Sequence, residues 1–213
     1  MRLDAEELLR LIAQGEGARL EFKRGLPGVP KVARTLAAFA NTRGGRLFVG
    51  VDDRGRIEGA PRPRATAAEL RAVAAEAVEP PVAIHIETVR VDGRTVVAAT
   101  VGLSPARPHS VVRASGEREL PIRVGASTRA ARGPALEALR RGASAGGRSG
   151  LDPLERDVLG WVGRAPASGA TAEAFARARN VGLARTRRAF VKLERQGRLV
   201  GYGTGARRAY ALP

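Results

Sequence analysis

Arg185, Arg187, Arg188 and Lys192 crowd into one short stretch, LARTRRAFVK, and Arg207 and Arg208 follow in GTGARRAY. A guanidinium presents a planar fork of donors that matches a phosphate or the O6/N7 edge of guanine. Grouped this way, the side chains suit a polyanion. The whole chain agrees, with 37 Lys+Arg against 21 Asp+Glu and a net charge of +16. Each phosphate that a cation neutralises releases condensed counterions, so this charge favours nucleic acid. Arginine scattered for solubility is the competing reading.

The elements that must carry these cations follow from spacing. Pro153 to Val162 reads as a helix with Leu154, Val158, Leu159 and Trp161 on or near its apolar face. Thr171 is placed to cap a second helix running to about Arg179. A turn at Asn180–Gly182 leads to a third, Leu183 to Gln196, with Phe190, Val191 and Leu193 inside. Two short strands follow, around Leu199–Tyr202 and Arg208–Leu212, with Gly203-Thr204-Gly205 as the turn. Three helices and a hairpin is the order of a winged helix-turn-helix. There the third helix enters the major groove and the wing lies along the backbone. The same fold used for protein contacts is the alternative.

Composition closes off several classes. The chain has no cysteine and only His85 and His109, which leaves no disulfides and no thiolate or histidine zinc site. No apolar stretch reaches the ~20 residues of a membrane span, and MRLDAEELLRL lacks the regions of a signal peptide. A soluble, cytoplasmic protein with no membrane partner is expected. Aromatics are 4% of the chain, which predicts an aliphatic, alanine-rich core.

Domain organisation follows from GASAGGRSG, a flexible-linker composition over 142–150. It separates a mixed α/β domain, 1–141, from the helical segment, 151–213. The second segment is denser in charge, with 12 basic and 5 acidic residues. In the first, Asp4 with Glu7 predicts a capped helix, and LEFK alternates as a half-buried strand. Val29 to Asn41 has helical spacing, and Arg46 to Val51 is a strand covered on both faces. Thr66 with Glu69 predicts another capped helix ending before Pro80-Pro81. Asp92-Gly93 joins two strands as a hairpin. In ANTRGGRLFVGVDDRG, Asn41-Thr42 closes the helix, Gly44-Gly45 turns, and Asp52, Asp53 and Gly55 close the strand. Alone, this is punctuation without chemistry.

Three blocks give it more: GEGARLEFKR, AFANTRGGRLFVGVDDRGRIEG and PIRVGASTRAA. In order and spacing they resemble the Schlafen-type AlbA domain over about Glu16 to Arg140. Bacterial regulators with this domain often append a winged helix, and some insert an ATPase-like domain for which this chain has no room. The resemblance implies an α/β (α+β) nucleic-acid-binding domain followed by the small α+β winged helix. Its candidate contacts are Lys23 and Arg24, Arg43 and Arg46 around the Gly-Gly turn, and Arg123, Ser127, Thr128 and Arg129. Lys23 and Arg123 have an alternative in pairing with Glu21 or Asp53. Relatives place aromatics before RVG; here stands Leu120-Pro121-Ile122, which removes base stacking and predicts an edge strand or bulge.

The resemblance also implies an enzymatic alternative. Some Schlafen proteins cut structured RNA such as tRNA with three carboxylates. Matched residue by residue these are Glu16, Glu21 and Asp53, with Asp52 in place of Asp53 as the other choice. Such a set would hold Mg²⁺ or Mn²⁺. The leading expectation is a DNA-binding transcriptional regulator without a cofactor, taking duplex DNA first and structured RNA second. A dimeric protein-interaction module is the third class.

Overall fold

Asp4 caps the first helix, α1 (Ala5–Ala13), by accepting a hydrogen bond from the Glu7 N–H at 2.8 Å. Leu8 and Ile12 lie one turn apart on its buried face. The structure is a computed structural model and describes residues 3–140, 151–165, 170–202 and 208–212. It divides into two units, Met1–Ala130 and Ala131–Pro213. The expected linker, 142–150, lies outside the described residues.

After α1 come β1 (Leu20–Lys23), α2 (Val29–Asn41), β2 (Gly45–Val49) and α3 (Pro63–Glu76). Then follow β3 (Ile84–Val91), β4 (Arg94–Val101), β5 (Val111–Val112), β6 (Arg118–Glu119), β7 (Pro121–Val124) and β8 (Ser127–Ala130). The main sheet runs β1-β2-β4-β3, with β1 parallel to β2 and β4 antiparallel to both of its neighbours. Alternation along the strands builds two cores. Leu20, Phe22, Phe48 and Ala98 pack with Leu8 and Ile12 of α1. Leu47, Val49, Val97 and Ala99 pack with Leu36 and Phe39 of α2 and Leu70 and Val73 of α3. The apolar run of β2 follows, because a central strand between two helical layers is buried on both faces. Asp92 (φ 46°) and Gly93 (φ 77°) join β3 to β4 with the two positive φ angles of a type I′ turn.

One local expectation changes. α3 starts at Pro63, three residues before Thr66, and its N-cap Arg62 makes no side-chain cap bond. Proline's fixed φ starts the helix, and Thr66 is buried inside it beside Ala67 and Leu70. The edge strand expected at Pro121 is found: Pro121 opens β7, which among the described residues pairs only with β8.

The second unit holds α4 (Gly133–Arg140), α5 (Pro153–Gly163), β9 (Ala170–Thr171), α6 (Ala172–Arg179), α7 (Leu183–Arg195), β10 (Val200–Tyr202) and β11 (Ala209–Ala211). Asp152 and Glu155 form a capping box on α5, and Thr171 caps α6. β10, β11 and β9 make one antiparallel sheet, so β9 adds a strand that its two residues did not announce. Residues 203–207, with the expected turn and Arg207, lie outside the described residues. The core differs from the aliphatic expectation. Trp161, Phe175, Phe190 and Tyr210 form a ring-to-ring chain with centroids 4.8–5.9 Å apart. A unit this small closes its core with a few large rings. Among the described residues no helix is long and apolar enough to cross a membrane.

Candidate nucleic-acid interface

The Asn-Thr-Arg-Gly-Gly turn is built mostly of structural residues. Asn41 is buried at the end of α2. Its amide donates to the His109 and Pro121 carbonyls at 2.8 and 2.9 Å and accepts from the His109 N–H at 2.7 Å. The Thr42 hydroxyl donates to the Ala38 carbonyl at 2.6 Å. Gly44 has φ +69° and its backbone lies so close to β4 that a Cβ would fall 2.6 Å from the Val101 oxygen. At Gly45 a Cβ would fall 2.3 Å from the Phe39 ring. Both positions therefore require glycine.

Arg123 takes the alternative that the sequence offered, pairing with Glu21 inside the domain and not facing a ligand. Its side chain is 1% exposed. It donates to Glu21 at 2.8 Å, to the Gly17 carbonyl at 2.6 Å and to the Thr128 hydroxyl at 3.2 Å, and it stacks over Phe39. Arg123 thus joins β7 to β1 and α2 and is removed from the surface. Alternation predicted a half-buried β1 with Glu21 facing outward; instead Glu21 is buried like Leu20 and Phe22, because Arg123 covers that face.

Two of the acids, Glu16 and Glu21, meet at Lys23, while Asp52 is engaged in a turn of its own. Glu16 accepts the Phe22 N–H at 2.7 Å and lies 3.8 Å from Lys23. Glu21 is held between Lys23 at 2.6 Å and Arg123. Asp52 is buried in an Asx turn, accepting from the Arg54 and Arg56 N–H groups and from Arg56 Nε. Those hydrogen bonds hold its pKa below the usual carboxylate value, the Arg56 backbone contact being the largest cause. Asp53 is exposed. Among the described residues, no group of three His, Cys, Asp or Glu side chains is positioned to hold a metal ion. Glu16, Glu21 and Asp53, or Asp52, therefore do not fit a Mg²⁺ or Mn²⁺ site as arranged here.

The other cations of this unit divide into committed and open. Lys23 is shared by Glu21 and Glu16, Arg24 pairs with Glu58 at 2.9 Å, and Arg46 lies 3.6 Å from Glu7. Ser127 and Arg129 are exposed on β8, while Thr128 accepts from Arg123. Arg43 is solvent-accessible with no carboxylate partner. Desolvation by its surroundings, then the like charge of Arg19, lower its pKa, though a guanidinium stays charged.

In the second unit α7 buries Thr186, Ala189, Phe190 and Leu193 and leaves its other face to solvent. On that face Arg187 pairs with Glu173 at 2.7 Å and Lys192 with buried Glu155 at 2.5 Å. Arg208 pairs with Glu194 at 2.7 Å and donates to the Tyr210 hydroxyl. Asp157 takes Arg179, and Asp152 caps α5. All five Asp and Glu side chains of 151–213 are thus engaged, and Arg185, Arg188 and Arg195 are exposed with no carboxylate partner among the described residues. A shallow groove of about 610 Å³ runs along this face between Arg187, Arg188, Val191, Lys192, Arg195 and Gln196.

No curated protein sequence matches the chain. Solved structures similar to it include the following two. One is the N-terminal domain of an ATP-dependent DNA helicase RecG-related protein from Nitrosomonas europaea, at 30% identity and TM-score 0.41 over 48% of this chain and 74% of that one. The other is the DIP2311 protein from Corynebacterium diphtheriae, at 25% identity and TM-score 0.42 over 70% of this chain; the match spans 35% of that protein's length. The decisive match is to a family model. Residues 16–132, which contain the Gly-Gly turn, the Asx turn and the buried arginine, match the Schlafen, AlbA_2 model, and the chain belongs to that family.

Proposed function

We propose that this protein is a duplex-DNA-binding transcriptional regulator. Its AlbA_2 domain grips the backbone, and the C-terminal unit serves as a winged helix whose α7 reads the groove. The observation that carries this reading is the exposed face of α7, where Arg185 and Arg188 stand unneutralised after every acid of 151–213 has found a partner. An arginine without a competing carboxylate meets a phosphate or guanine edge at little cost. The family membership supports a nucleic-acid-related role, and the net charge of +16 supports a polyanion partner.

The test is one titration series with labelled duplex DNA, single-stranded DNA and structured RNA, at several salt concentrations, with Mn²⁺ or EDTA. The expected result is duplex binding that weakens steeply with salt, without strand scission. Binding insensitive to salt, or none to any nucleic acid, sinks the proposal. Mn²⁺-dependent RNA cleavage would replace it with the nuclease reading and require the acids to regroup.

A further inference from the structure

Arg19 and Arg43 are placed side by side by backbone geometry. β1 and β2 run parallel with Leu20 opposite Arg46, and the Arg46 N–H donates to the Arg19 carbonyl at 2.8 Å. Arg19 therefore stands level with the start of β2, and Arg43 lies in the turn immediately before it. The turn has little freedom, because Gly44 is pressed against β4 and Gly45 against Phe39. Two guanidiniums carried on these neighbouring segments repel each other.

Among the described residues neither pairs with a carboxylate. Of the acids on the elements around them, Glu7 serves Arg10 and Arg46, while Glu16 and Glu21 serve Lys23 and Arg123. Arg43 lies just past the end of α2, where three of the carbonyls near the helix end are taken by other donors. Ala38 accepts from the Thr42 hydroxyl, Phe39 from the Thr42 and Gly44 N–H groups, and Ala40 from the Ser104 N–H. Arg43 is therefore no helix cap, and Arg19 is exposed beside it. The like-charge effect on Arg43 agrees with the placement. A like-charged pair with Arg43 on a stiff turn, and with no carboxylate among the described residues to offset it, is stabilised by an anion from outside.

We propose that Arg19 and Arg43 form a two-guanidinium clamp for backbone phosphodiesters, a site on the N-terminal unit separate from the α7 face. This rests on the nucleic-acid reading above, which supplies the phosphodiester as the anion. The clamp carries no sequence information; it fixes position on the duplex.

The test uses the full chain and a labelled DNA duplex, with affinity measured across a salt series. Three forms are compared: the parent, Arg19→Ala with Arg43→Ala, and a control, Arg71→Ala with Arg90→Ala, which removes the same charge from two exposed positions elsewhere. Each phosphate contact contributes about 0.9 to the slope of log Kobs against log salt. The clamp variant should show a slope shallower than the control by about two, with affinity at low salt down roughly tenfold or more. Its melting temperature should match or exceed the parent's, since a repulsion is removed. Arg19→Lys with Arg43→Lys should restore most of the slope. A clamp variant whose slope equals the control's overturns the clamp and leaves the nucleic-acid reading intact. A parent that binds no duplex at any salt overturns that reading and the clamp together.

Discussion

The two units use arginine in opposite ways. In the N-terminal unit the motif arginine turns inward: Arg123 is buried against Glu21, two carbonyls and the Phe39 ring. Arg34 and Arg113 likewise converge on buried Glu119. In the C-terminal unit the acids lie along the flanks of α7 and hold some of its cations, while Arg185 and Arg188 point to solvent. An arginine in a characteristic motif is therefore not by that fact a ligand contact. What decides is whether a carboxylate inside the fold reaches it first.

The sharpest way to break this contrast is Arg123→Ala. Removing one partner of a buried ion pair leaves uncompensated polar groups and costs about 3–5 kcal/mol. Chemical denaturation measures it, and a loss below about 1 kcal/mol would return Arg123 to the list of surface contacts. Lysine should not rescue, because it lacks the fork that reaches Glu21, Gly17 and Thr128 together.

Asn41→Ala comes next. It strands the His109 N–H and the carbonyls of His109 and Pro121, at a cost of about 2–4 kcal/mol. The same denaturation series reads it. A neutral result would mean that water replaces the amide.

In the C-terminal unit the matching experiment moves binding instead of stability. Arg185→Ala with Arg188→Ala should weaken duplex binding by about 1–3 kcal/mol at an unchanged melting temperature. Arg187→Ala should cost less binding than Arg188→Ala, since Arg187 already spends its donors on Glu173. Equal losses would show that the internal ion pair opens freely when DNA arrives.

The smallest effect is on the acid limb of stability. Asp52 is lowered by the Arg56 backbone bond first, then by its other hydrogen bonds and the Arg56 charge, against desolvation. At Glu119, burial pushes the pKa up, but Arg113 and Arg34 outweigh it and leave it lowered. A depressed folded pKa contributes stability that is complete above the unfolded value of about 4 and is lost as pH falls through the folded value. Melting temperature should therefore drop below about pH 4, and Asp52→Asn should flatten that limb. An unchanged limb in the variant would assign the acid loss to other carboxylates.

Much was legible in the sequence because it is local. The Asp4 and Thr171 caps, the Asp92-Gly93 turn and the strand-opening Pro121 each depend on neighbours a few residues away. The doubly buried β2 was legible because burial on both faces leaves a continuous apolar run. The capping pair at Thr66 misled because a proline three residues upstream offered the helix an earlier start. β9 was missed because two residues carry no period, and they become a strand only through pairing with β11.

The candidate site divides along the same line. The sequence determined that arginines would line α7, since a helix with Phe190 and Leu193 inside must present its remaining positions outward; Val191, expected inside, is exposed among them. Only the tertiary structure decided which cations stay open. Arg123 meets Glu21 across some hundred residues of chain, the acids of the motif separate into a strand contact and an Asx turn, and Arg19 comes beside Arg43 through a parallel strand pair. Charge type and spacing are written along the chain, but neutralisation is set by distances in space, and those exist only once the sheet has closed.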